Sequence, residues 1–137
     1  MTEPDFLELE EVLELHERQI EAFGGTLGIR SQGLLESALG MPRATFGGQF
    51  VHESIFAMAA AYAFHVAENQ PFLDGNKRTG LGAALVFLRI NGYRVVDPEE
   101  ALYEAMIAIA ERRMDKAGLA RELERLARQV DEGPGHE

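Results

Sequence analysis

A chain of 137 residues, 46% of them hydrophobic, is the size of one domain and is expected to form a single unit with one core over residues 1–137. A formal net charge of −10 disfavours general attraction to nucleic-acid phosphates, and the lack of cysteine excludes disulfides, thiolate nucleophiles and thiolate metal sites. The start Met1-Thr2-Glu3-Pro4-Asp5 is not a secretory signal, and no apolar run approaches the roughly 20 residues of a membrane helix. The expectation is a cytoplasmic protein with neither a membrane nor a specific nucleic acid as partner.

Leu9, Val12, Leu13, His16, Ile20 and Phe23 recur at helical spacing, predicting a first helix over about 8–23 that Gly24-Gly25 stops. Ser31 caps a short helix over 32–39, closed by Gly40 and Pro42. From Met41 to Glu53 the helical period disappears. The segment Pro42 to Phe50, with its glycine pair, reads as a small hairpin flap. Ser54 to Glu68 is apolar nearly all round and predicts a central buried helix, and Lys77 to Asn91 predicts a second, stopped by Asn91-Gly92.

Asp97-Pro98-Glu99-Glu100 reads as an N-cap followed by proline at the first helical position, opening a helix to about Arg113. Asp115 caps a last helix with apolar positions Leu119, Leu123, Leu126 and Val130, and Gly133-Pro134-Gly135 ends order. Residues 1–5 and 132–137 are expected to be flexible ends. The predicted architecture is all-α: about six helices in a bundle with one small β-hairpin flap.

The run Gln70-Pro71-Phe72-Leu73-Asp74-Gly75-Asn76-Lys77-Arg78-Thr79-Gly80 carries the chemistry. Gly75 lets the backbone approach a ligand, and the helix start that follows offers unpaired N–H groups and the positive end of its dipole to an anion. Lys77 and Arg78 add a point charge and a planar fork, and Asn76 can donate from its amide. Asp74 alone would repel phosphate, so a bridging Mg²⁺ is the economical reading. Taken by itself, the turn could be an ordinary helix boundary with surface charges; the segments around it favour a phosphate site.

This run resembles the core motif of the Fic/Doc family, His-Pro-Phe-x-Asp/Glu-Gly/Ala-Asn-Gly/Lys-Arg, and Lys77 is similar to its Doc (death-on-curing) branch. The likeness extends to Leu27-Gly28-Ile29-Arg30, Gly33 to Leu39, Pro42 to Gly48, Leu85 to Leu88 and Asn91-Gly92-Tyr93. The resemblance implies a toxin of a toxin–antitoxin pair, using ATP and Mg²⁺ to phosphorylate a Ser or Thr hydroxyl on a protein such as a translation elongation factor. It also implies a Phd-like antitoxin as partner. By position, Phe72 would anchor the loop, Asp74 would hold Mg²⁺, and Gly75, Asn76, Lys77 and Arg78 would cradle the phosphates, with Lys77 and Arg78 also serving catalysis. The flap of Arg43, Ala44, Thr45, Phe46, Gly47, Gly48 and Gln49 would align the target by strand addition. Leu81 stands where Fic AMP transferases carry a second arginine.

Gln70 occupies the position of the motif histidine that removes the target's proton. A glutamine amide does not titrate and can only orient a hydroxyl, and losing a general base typically costs about 10²- to 10⁴-fold. Phosphoryl transfer depends largely on positioning and charge stabilisation, which leaves slow transfer open. Two alternatives stay open beside it: a silent relative that binds nucleotide or antitoxin as a regulator, and an AMP transferase. His65, five residues before Gln70, is the first substitute base to test, although its simpler reading is structural. Glu68 and Asn69 read as solvated capping groups, and His16, His52 and His136 have no spacing that assigns them a role.

Overall fold

Helix α1, Leu9–Phe23, starts where the Glu11 carboxylate reaches back to the Glu8 N–H at 2.7 Å, and it stops at Gly24, whose N–H bonds Ile20 O in a positive-φ conformation. Ser31 Oγ accepts the Leu34 N–H and opens α2, Gln32–Gly40; Ser54 Oγ does the same with Ala57 for α3, Ile55–Asn69. Between them β1, Thr45–Phe46, and β2, Gln49–Phe50, pair antiparallel across Gly47-Gly48, both at positive φ. Helix α4, Asn76–Ile90, follows the glycine-bearing loop. The computed structural model describes residues 3–130. Gly133-Pro134-Gly135, His136 and the expected flexible C-terminal end lie outside the described residues, as do Met1 and Thr2.

The molecule is mostly α-helical, with six helices and two small antiparallel sheets among the described residues. Helix α3 is the hub, packed against α2, α4, α5 (Ala101–Ala110) and α6 (Lys116–Leu126). Its Met58, Ala59, Ala60, Tyr62, Ala63 and Val66 are buried, which is why this segment is apolar nearly all round. Tyr62 is fully enclosed; its hydroxyl accepts the Leu7 N–H at 2.9 Å, and burial pushes its pKa up to about 12. Helix α4 crosses α3 at Gly80, where a Cβ would sit 2.8 Å from Ala63 O. The small side chain therefore sets how closely the two central helices approach.

Three boundaries differ from the sequence expectation. Asp97 does not start a helix at Pro98: its carboxylate spans a turn to accept the Ala101 and Leu102 N–H groups at 2.9 Å each, so α5 begins three residues later, at Ala101. The same helix ends at Ala110 rather than near Arg113. Arg112 takes a left-handed conformation, and the Arg112 and Arg113 N–H groups fold back to Ile109 O and Ala108 O, closing a Schellman turn without glycine. The last helix stops at Leu126 and does not run to Val130. Residues Ala127–Gln129 form β4 against β3, Tyr93–Val95, and Val130 N–H bonds Gly92 O beside that pair.

At the N-terminal end, Asp5 exchanges two backbone hydrogen bonds with the Asn91 side chain at 2.8 and 2.9 Å. No helix among the described residues is long and apolar enough to cross a membrane.

Candidate active site

The C-terminus of α3 is shaped by Arg30. Its guanidinium donates to Asn69 O at 2.9 Å and to Gln70 O at 2.7 Å, while its backbone N–H bonds Pro71 O at 2.6 Å. Gln70 sits at φ 48° and ψ 56°, a left-handed conformation that non-glycine residues rarely adopt and that here redirects the chain from helix into loop. The fork of Arg30 across two successive carbonyls offsets that strain.

Phe72 then plugs the loop into the core at 1% exposure. Its ring stacks on His16 from α1, with centroids 3.8 Å apart, and His16 Nε2–H donates to Asp74 O at 2.9 Å. The Asn76 amide closes the turn from inside, accepting the Phe72 N–H and donating to Phe72 O. Two of its bonding groups are thus spent on loop shape. Leu73 N–H bonds Gly28 O, and Ile29 bridges Phe72, so the segment after α1 runs alongside the loop.

This scaffold presents the ionic groups. Asp74 Oδ2 accepts the Thr26 N–H at 2.8 Å, while Oδ1 has no partner among the described residues. Gly75, at φ 76°, turns the chain into α4, and the N–H groups of Asn76, Lys77 and Arg78 find no acceptor among the described residues. Lys77 is exposed and, like Arg78, makes no ion pair among the described residues. The Arg78 guanidinium lies over two rings, 3.9 Å from the Phe23 centroid and 4.4 Å from that of Tyr103. Both contacts hold the guanidinium through its charge, and its N–H donors make no hydrogen bond among the described residues, which leaves them for an oxyanion.

Two concavities flank the loop. One, of about 420 Å³, is walled by Glu68, Gln70, Asp74, Asn76, Lys77 and Arg112 among others; the second, of about 230 Å³, includes Gly24, Gly25, Gly75, Lys77, Arg78 and Tyr103. The donor set fits a magnesium nucleotide: free N–H groups at a helix start, two unpaired cations, and a carboxylate with one open oxygen.

The structure brings together Gln70, Asp74, Gly75, Asn76, Lys77 and Arg78. It does not place the flap with them, since none of Arg43 to Gln49 lines either concavity. Arg43 lies over the Phe6 ring, and Phe46 is exposed at the hairpin. His65 does not line the cleft either: its Nε2 and that of His52 each accept from Lys116 Nζ at 3.0 Å. Burial, then the Lys116 charge, lowers the His65 pKa to about 4; the same two causes in the same order lower that of His52.

Several site residues escaped the sequence reading. His16 had a signal, a polar residue inside the apolar stripe of α1, but no ligand spacing to give it work. Arg30 was visible only as part of a family-like segment. Glu68, read as a solvated cap, is exposed as expected and also lines the larger cleft.

The sequence profile described as Fic/DOC family matches residues 6–88. The chain is 40% identical over 107 residues to a protein named Toxin Doc from Mycolicibacterium smegmatis, spanning 74% of this chain and 80% of that one. It is 33% identical over 117 residues to a protein named Protein kinase doc from Escherichia phage P1, spanning 85% and 91%.

Proposed function

The chain belongs to the Fic/DOC family, and from that premise we propose that it is a Doc-type toxin that moves the γ-phosphoryl group of ATP to a Ser or Thr hydroxyl on a protein. The observation that carries the reading is the start of α4, where three free N–H groups, Lys77 and Arg78 converge beside an Asp74 oxygen left open. The names of the two relatives, a toxin and a protein kinase, support it.

In this reading the backbone of Asn76 to Arg78 binds phosphate oxygens, Lys77 contributes a point charge, and Arg78 offers its N–H donors from beside Phe23 and Tyr103. Asp74 would hold Mg²⁺, which supplies charge neutralisation between phosphates when bound. His16, Phe72 and the Asn76 amide keep the cradle in shape without touching the nucleotide. Gln70 orients the attacking hydroxyl by hydrogen bonding. The flap, whose β1–β2 pair is only two residues long on each side, offers a strand edge to the target segment. A translation elongation factor is the proposed kind of target and a Phd-like antitoxin the proposed partner.

Gln70 also favours a second reading, a silent relative that binds nucleotide or antitoxin, because an amide cannot take up the hydroxyl proton. Incubation with γ-labelled and, separately, α-labelled ATP in a bacterial extract tests the proposal. Protein labelled from the γ position only is the expected result, by wild type and by Gln70→His alike. Nucleotide binding without labelling by either form would establish the silent reading, and labelling from the α position would make the protein an AMP transferase.

A further inference from the structure

Resting on that phosphoryl-transfer reading, we infer that Glu68 is the general base of this protein, taking the part that Gln70 cannot play. The cleft that Gln70 walls contains two carboxylates, Glu68 and Asp74, and its other charged groups are the cations Lys77 and Arg112. Asp74 is committed elsewhere, with one oxygen on the Thr26 N–H and the residue itself assigned above as the proposed magnesium ligand. Glu68 is the carboxylate left in the cleft. It stands on the last turn of α3, two residues before the chain leaves the helix at the left-handed Gln70, so the acidic group and the amide share one cavity.

Its one ion pair among the described residues is loose. Arg112 Nη1 lies 3.6 Å from Glu68 Oε1, beyond good hydrogen-bond length, and the Arg112 side chain is 79% exposed. Arg112 therefore steadies the carboxylate without capping it, and the left-handed turn at Arg112 that ends α5 places this cation at the cleft wall. Glu68 can accept a proton where glutamine cannot.

The step balances as follows. The oxygen of the target hydroxyl forms a bond to the γ-phosphorus. The bond from that phosphorus to the β,γ-bridging oxygen breaks, its electron pair leaving on ADP. The hydroxyl proton passes to the Glu68 carboxylate and from there to water. Gln70 orients the hydroxyl during this step and keeps its own protons.

The test compares wild type, Glu68→Gln, Gln70→His and the double variant for transfer from γ-labelled ATP to bacterial extract, with the Mg-ATP affinity of each measured by calorimetry. Glu68→Gln is expected to lower transfer about 10²- to 10⁴-fold with Mg-ATP affinity within about twofold of wild type. In the Gln70→His background the same substitution is expected to cost at least roughly tenfold less, because the imidazole offers a second base. An equal cost in both backgrounds would mark a structural role and overturn the inference, as would no loss in Glu68→Gln. Labelling by Gln70→His alone would leave the phosphoryl-transfer reading standing and overturn Glu68 as the native base. Labelling by none of the four would overturn both.

Discussion

Gln70 combines two departures from the ordinary: a non-titrating side chain at the centre of the site, and a left-handed backbone held by Arg30. Removing the Arg30 fork leaves the Asn69 and Gln70 carbonyls without their charged donor and the turn without its clamp. Because both bonds are exposed, Arg30→Ala is expected to cost about 0.5–1.5 kcal/mol, read as a lower urea midpoint. The Arg78 contacts with Phe23 and Tyr103 make a second claim at this scale. A cation–π contact at an exposed site is worth about 0.5–1 kcal/mol, so Phe23→Leu and Tyr103→Leu should each weaken Mg-ATP binding roughly two- to fivefold by calorimetry. Tighter binding in either variant would mean that the rings withhold Arg78 rather than position it. The sequence displayed the residues of the cradle because they are contiguous, from Asp74 to Arg78. Phe23, Tyr103, His16 and Arg30 come from other segments and meet the loop only through the fold, which no local spacing reports.

Helices α3 and α4 were legible because an all-apolar period and stop signals mark buried helices strongly, and Ser54 and Asn91-Gly92 lie at their ends. The strand β4 was not, since Leu119, Leu123 and Leu126 continue in helical register to Val130 while the backbone has already turned extended at Ala127 to pair with β3. The α3–α4 crossing gives a direct stability prediction. Gly80→Ala gains about 1 kcal/mol of helix propensity but drives a methyl against Ala63 O, and overpacking of this kind costs about 1–3 kcal/mol, so thermal unfolding should occur at a lower temperature. The contact joining α3 to α6 is pH-sensitive. His65 is held near a pKa of about 4 in the folded protein against an ordinary 6.5. Between those values the unfolded chain binds more protons, so this stability is full above about pH 6.5 and falls as pH drops toward 4, by about 1 kcal/mol at pH 5 after allowing for partial exposure. Lys116→Met should move the His65 titration, followed by NMR, part of the way back toward 6.5, since burial and not Lys116 is the larger cause.

For the molecule as a whole, an acidic chain with formal charge −10 concentrates at one helix start two cations that are unpaired among the described residues, the opposite of a general polyanion binder and in keeping with the proposed magnesium nucleotide. Helix α3 ties this site to the rest of the fold: its buried face organises the core, its last turn supplies Glu68, and its left-handed exit opens the cleft. The central claim concerns which phosphorus is attacked, and the products report that directly. Phosphorus NMR of Mg-ATP turned over by Gln70→His in the presence of bacterial extract should show ADP growing without pyrophosphate, at a rate that falls when Lys77→Ala is added. Accumulation of pyrophosphate, or ATP left unchanged by both proteins, would contradict the account.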